Sequence, residues 1–171
     1  MRQLFPFLTS FLLLLLSSIS ANANPRIAVL AFELNDITSL PNTPQEQQRT
    51  ASIKLLLETA IKHTQTAYEL VAIDPKTQTA ANPSLGYLFR FHDLAAKLGQ
   101  EVNADWVIVG QHSKPSFLFS YLMVHVVNVK TQQLAGSIDI ELKGNHESVT
   151  QHGVKNLARK IGGLLGNAVK L

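Results

Sequence analysis

The chain has 171 residues, with 15 lysines and arginines against 12 acids, a formal net charge of +3 and no cysteine. So small a charge, spread evenly along the sequence, leaves no electrostatic footprint for nucleic acid. Without cysteine there is no disulfide, no thiol nucleophile and no thiolate metal site.

The N-terminus reads as a secretory signal peptide. Arg2 is followed by an apolar core from Leu4 through the leucine run Leu12 to Leu16, then small polar residues ending in Ala21-Asn22-Ala23. That order predicts cleavage after Ala23. The apolar core is shorter than the roughly 20 residues a spanning helix needs, and no cysteine is present to carry a lipid anchor. A soluble periplasmic product with no stable membrane insertion is therefore expected. Cleavage leaves 171 − 23 = 148 residues, 24–171, a length that predicts a single α/β domain.

Arg26-Ile-Ala-Val-Leu-Ala-Phe32 follows Pro25 as a continuous apolar run, which predicts a central strand buried on both faces. Residues 33–42 read as a polar loop. Thr43-Pro44-Gln45-Glu46 then has the form of a capping box ahead of a helix. Ile53, Leu56, Leu57, Ala60 and Ile61 mark its buried face; Gln47, Arg49, Lys54, Glu58 and Lys62 are expected to face water.

Residues 68–73 predict a second strand, stopped by Asp74-Pro75, and 76–83 a polar loop. Phe91, Leu94, Ala95 and Leu98 mark a second helix expected to end at Gly99. Three strands follow: 105–110, then 117–129 after the turn Lys114-Pro115-Ser116, then a run from Gln133 after the turn Lys130-Thr131-Gln132. If Val129 and Gln133 flank that second turn, Val126, Val124, Leu122 and Ser120 lie opposite Gly136, Ile138, Ile140 and Leu142 and form one apolar face. The other face, with Tyr121, Met123 and His125, is mixed, and the last strand reads as an edge. A final helix after Gly144-Asn145 buries Val154, Leu157, Ala158, Ile161, Leu164, Leu165 and Ala168. Gly162, Gly163 and Gly166 either weaken its last turns or let it approach the sheet closely. The order β-α-β-α-β-β-β-α predicts an α/β sandwich on a mixed five-stranded sheet.

Several segments carry a resemblance. They are Phe32-Glu33-Leu34-Asn35-Asp36 with Thr38-Ser39, Leu98-Gly99 with Ala104-Asp105-Trp106 and Gly110, Lys114-Pro115-Ser116, and Gly144-Asn145 with Glu147-Ser148 and Gly153. Together they resemble a proteobacterial periplasmic family, domain of unknown function 2380, with a relative numbered 3280, over essentially all of residues 24–171. Gln100 to Asn103 stand as an insertion, Val149 replaces a frequent tryptophan, and Gln132 occupies a turn position usually given to glycine. The resemblance implies a fold similar to the N-terminal domain of TolB and to curli-secretion and penicillin-binding-protein-activator lipoproteins. It also implies action by binding other envelope proteins rather than by catalysis.

If the first, second and third strands run parallel in the sheet order 2-1-3-4-5, the loops after strands one, three and five come to one end, beside the switch-point crevice. Glu33, Asp36, Lys114, Ser116, Asn145 and Ser148 gather there as candidate binding residues. Turn and cap roles account for the same residue types. The expected function is a periplasmic binding or accessory module acting through contacts with an unidentified envelope protein. The alternative is a small-ligand binder or enzyme at the crevice near Asp36 and Lys114. The six histidines are not spaced as ligands, since with the first turn centred near Pro115 His125 falls closer to Trp106 than to His112, and His146 and His152 are six apart. Neither a G-x-S-x-G elbow nor a glycine-rich phosphate loop follows a strand. No metal, cofactor or catalytic residue is therefore assigned. The mixed sheet face around Tyr121, Met123 and His125 is a second candidate surface, either for a partner or for cover by the second helix.

Overall fold

The computed structural model describes residues 24–168 except 39, 66, 145 and 146. The predicted signal peptide, Ser39 and the candidate residue Asn145 lie outside the described residues.

The elements are β1 (Arg26–Val29), β2 (Glu33–Asp36), α1 (Pro44–Thr64), β3 (Glu69–Val71), α2 (Pro75–Ala81), α3 (Tyr87–Arg90), α4 (His92–Glu101), β4 (Trp106–Lys114), β5 (Phe119–Asn128), β6 (Gln133–Lys143) and α5 (Glu147–Ala168). They form a mixed six-stranded sheet in the order β3-β1-β4-β5-β6, with β2 paired to β4. β1 is parallel to β3 and β4, while β4, β5 and β6 are antiparallel neighbours. Helices cover both faces. Ile53, Leu57 and Ile61 of α1 and Val154, Leu157 and Ile161 of α5 pack on one, and Leu88 of α3 with Ala95 and Leu98 of α4 on the other. This is the α/β architecture the periodicities predict, with the same strand order.

The sixth strand is the main departure. Residues 33–36 are not a loop but a strand parallel to the far half of β4, with Glu33 opposite Gln111 and Asp36 opposite Lys114. β1 and β2 form one strand line broken by a bulge: Val29 pairs with Ile108 and Glu33 with Gln111, so residues 30–32 span what 109–110 span. The break is held from the side, because the Gln78 side chain accepts from the Ala31 N–H at 2.9 Å and donates to its carbonyl at 3.0 Å. Gly110 makes room for it. A Cβ there would lie 2.3 Å from the Phe32 ring.

Three further boundaries move for local reasons. Residues 75–81 are helical because Asp74 caps them, accepting from the Lys76 and Thr77 amides at 2.8 and 3.2 Å, with Pro75 in the first turn. The second predicted helix is two, α3 and α4, and α4 runs past Gly99. That glycine packs rather than caps, since a Cβ would meet Val107 at 2.5 Å and Val129 at 2.7 Å. In the first hairpin Ser113 pairs with Tyr121, which centres the turn on Phe117 rather than Pro115 and sets His125 opposite Val109.

In the second hairpin the pairs Val126–Gly136, Val124–Ile138, Leu122–Ile140 and Ser120–Leu142 are as predicted. The turn itself closes on Asn128 and Gln133, and a bulge after Val126 absorbs the one-residue difference. Gln132 adopts φ 59°, the left-handed conformation that favours glycine. α5 stays helical through all its glycines. Gly162 faces Gln65 at the end of α1, Gly153 gives the close approach to Leu142 of the sheet, and nothing approaches Gly163 or Gly166. Among the described residues no helix is long and apolar enough to cross a membrane.

Candidate functional site

The ends of β2 and β4 meet the N-terminal turns of α1 and α5 around a buried polar cluster. Asp36 and Lys114, adjacent in the parallel ladder, form an ion pair at 3.0 Å. Lys114 Nζ also lies 3.4 Å from Glu46 Oε2, and Glu46 Oε1 is 3.4 Å from Arg49 Nη1. Two carboxylates thus face two cations, with side-chain exposures of 3% for Asp36, 12% for Lys114 and 9% for Glu46 and Arg49. Arg49 extends the cluster to α5, donating from Nε to Thr150 Oγ1 at 2.7 Å and from Nη2 to the Gly144 carbonyl at 3.4 Å.

His112, fully buried, sits beneath. Its Nδ1 is 2.7 Å from Thr50 Oγ1 and its Nε2 is 3.0 Å from Ser120 Oγ. Thr50 Oγ1 also lies 3.1 Å from the Glu46 main-chain carbonyl; with the hydroxyl proton directed there, the tautomer protonated at Nδ1, with Nε2 accepting from Ser120, is the one that satisfies both contacts. Burial, with the positive charges of Arg49 and Lys114 added, lowers the His112 pKa to about 4 against a smaller opposing pull from Asp36. The ring is therefore neutral at pH 7. At Asp36 burial acts to raise the pKa, but hydrogen bonds from the Thr38 hydroxyl and amide, together with Lys114, outweigh it and the carboxyl ends below its usual range.

Ser120, His112 and Glu46 have the residue types of a hydrolytic triad, yet Ser120 is 2% exposed and the Glu46 carboxylate is 3.6 Å from Nδ1. A nucleophile sealed beneath two helices reaches no substrate carbonyl. The charges in the cluster satisfy one another, which is the condition for burying them. The groove that borders it is lined by Glu46, Arg49, Thr150 and Glu147, and neither Asp36 nor Lys114 lines it.

Of the predicted site residues, Asp36 and Lys114 are brought together. Glu33 points elsewhere, accepting from the Asn82 side chain at 2.8 Å and the Gly86 amide at 3.0 Å, where it pins the segment between α2 and α3. Ser116 accepts from the Leu118 and Phe119 amides and shapes its own turn. Ser148 is exposed on the first turn of α5.

The sequence reading missed Glu46, Arg49, Thr50, His112, Ser120 and Thr150. Arg49 does not face water, and Glu46 completes only half of the capping box: its amide donates to Thr43 Oγ1 at 3.2 Å while its carboxylate turns to Lys114 and Arg49. A usable signal was present, since Glu46, Arg49, Thr50 and Ile53 follow helical spacing and place polar groups on the same side as the core residues.

The loops that follow Asp36 and Lys114 in the chain carry exposed apolar side chains. Ile37, Leu40, Phe117 and Leu118 are 70, 62, 55 and 79% exposed. The Ile37 amide donates to the Lys114 carbonyl at 3.2 Å and the Gly144 amide to the Leu118 carbonyl at 3.2 Å, so these loops are tied to the charged layer.

The mixed sheet face is partly covered. His125 stacks on Phe89 with centroids 3.7 Å apart, accepts cover from α3 and α4, and has its Nδ1 3.0 Å from both His92 Nε2 and the Phe89 carbonyl. Burial lowers its pKa, opposed by the Phe89 carbonyl. Among the described residues no group of three or more His, Asp or Glu is arranged to hold a metal ion.

No curated protein gives a significant sequence match. The fold is similar to that of lipoprotein GNA1162 from Neisseria meningitidis, with a TM-score of 0.51 and 11% identity over 80% of this chain and 96% of that one. It is likewise similar to a PelC dodecamer from Paraburkholderia phytofirmans, with a TM-score of 0.50 and 12% identity over 84% and 90%. TolB from Acinetobacter baumannii aligns with a TM-score of 0.47 and 11% identity over 85% of this chain and 28% of its own. Residues 25–161 match the sequence profile of domain-of-unknown-function family 3280, described as "Protein of unknown function (DUF2380)", and the chain belongs to that family.

Proposed function

We propose that the protein is an exported, non-catalytic binding module of the periplasm, released as residues 24–171 by cleavage after Ala23, that assists an envelope complex through protein contacts. The observation that carries this reading is the strand-end rim. Four large apolar side chains, Ile37, Leu40, Phe117 and Leu118, stand exposed on loops whose bases are tied to a buried ionic layer. Exposed apolar groups gathered on a rigid base are what a protein interface requires. Asp36 and Lys114 act here as foundation rather than contact, because each is occupied by the other.

The fold supports the reading by analogy alone: GNA1162 is a lipoprotein and PelC a dodecamer. The alternative, a small-ligand binder or enzyme, requires Asp36 and Lys114 to line an open crevice, and their mutual pairing favours the first reading. Affinity capture from envelope extract with the tagged protein tests it. Reproducible recovery of a protein by the wild type, abolished in Ile37→Asp/Leu118→Asp, is the expected result. Recovery that the double variant leaves unchanged overturns the assignment of this rim.

A further inference from the structure

α1 and α5 run parallel on one face of the sheet, since Arg49 meets Thr150 near their starts and Gln65 lies against Gly162 towards their ends. Between them a groove of about 590 Å³ opens to solvent. Leu56, Ala60 and Val154 supply apolar lining; His63, His152, Lys155 and Arg159 supply the basic lining, and no carboxylate is among the lining residues. Beside it on α1, Leu55 is 68% exposed. Among the described residues neither Lys155 nor Arg159 forms an ion pair. His152, Lys155 and Arg159 are three and four residues apart, so they stand in one ridge along α5.

A groove between two parallel helices is shaped to receive the ridge of a third, and its chemistry specifies that ridge. The apolar lining calls for an apolar stripe; the unpaired cations call for carboxylates beside it. We propose that the α1–α5 groove docks an amphipathic helix of a partner protein whose apolar stripe is flanked by acidic residues. A second copy of this chain matches poorly, because α1 and α5 themselves present Lys62, Lys155, Arg159 and Lys160. A membrane surface matches poorly too, because binding in the interface plane needs a broad protruding apolar face, whereas here Leu56, Ala60 and Val154 lie in a recess and Leu55 is the one large apolar side chain exposed on the described part of α1 and α5. This surface lies on the flank of the molecule and does not depend on the strand-end reading.

The test uses the purified exported protein and a synthetic helix of about 18 residues, five turns long, with leucines at helical spacing flanked by glutamates. A scrambled peptide of the same composition and vesicles of phosphatidylglycerol serve as comparisons. The expected result is saturable binding of the patterned peptide, amide shift changes confined to residues 52–64 and 151–159, and affinity reduced about tenfold or more in Lys155→Glu/Arg159→Glu. Absence of saturable binding, equal binding of the scrambled peptide, equal binding by a charge-reversed variant that is folded by circular dichroism, or binding to vesicles alone would overturn the proposal.

Discussion

Asp36 and Lys114 are paired twice, as partners in the parallel β2–β4 ladder and as an ion pair 3.0 Å long whose side chains are 3 and 12% exposed. The backbone register delivers the two side chains to the same end of the sheet. The ion pair fixes the end of β2, whose ladder to β4 is only four residues long.

Removing Lys114 leaves Asp36 and Glu46 without their shared cation. Lys114→Met should destabilise the fold at the lower end of the roughly 3–5 kcal/mol range for breaking a buried pair, since the Lys114 side chain keeps 12% of its surface exposed. Urea unfolding measures it. Asp36→Asn/Lys114→Met should recover part of the loss, and a single variant within about 0.5 kcal/mol of wild type would show the cluster to be effectively solvated.

Acid should weaken the protein in two stages. His112 has a folded-state pKa of about 4 against 6.5 when unfolded, so between those values the unfolded chain binds the extra proton and stability falls as pH falls. The loss from this residue approaches roughly 3 kcal/mol near pH 4. Asp36, held below its ordinary value, contributes stability present above the unfolded carboxylate pKa and lost as pH drops through the lower folded one. His112→Gln should flatten the fall between pH 6.5 and 4 and leave the steeper acid limb. An unchanged profile in that variant would remove His112 as the cause, leaving the partly buried His125, whose lowered pKa acts in the same direction.

The glycines divide by what surrounds them. Gly163→Ala adds helix propensity into open space and should stabilise by about 0.5–1 kcal/mol. Gly110→Ala would drive a methyl into the Phe32 ring and should cost about 1–3 kcal/mol. Thermal unfolding of the two variants should shift in opposite directions; shifts of the same sign would contradict the packing around Gly110.

Export gives the simplest check. Intact-mass measurement of protein recovered from the periplasmic fraction should give a chain beginning at Asn24, and a full-length product retained in the membrane would refute cleavage after Ala23.

The sequence by itself determined the succession of the main strands and helices, the pairing of β5 with β6 beyond the bulge, and the apolar faces that α1 and α5 bury. These follow from periods of 2.0 and 3.6 written into Leu122, Val124, Val126, Ile138, Ile140 and Leu142, and into Ile53, Leu57, Ile61, Val154, Leu157 and Ile161. It also showed that Asp36 and Lys114 come to one end, because three parallel strands carry their following loops there. Only the tertiary structure decided what those residues do. Glu33-Leu34-Asn35-Asp36 is polar in sequence, and it becomes a strand because the Gln78 side chain holds the bulge at Ala31 and because Lys114 and the 82–86 segment receive its carboxylates. Arg49 and Glu46 read as solvent-facing and capping residues until α5 and β4 close over them. A charge is buried only where its partners are, and apart from the Glu46–Arg49 pair within α1 those partners lie 68 to 101 residues away in the chain.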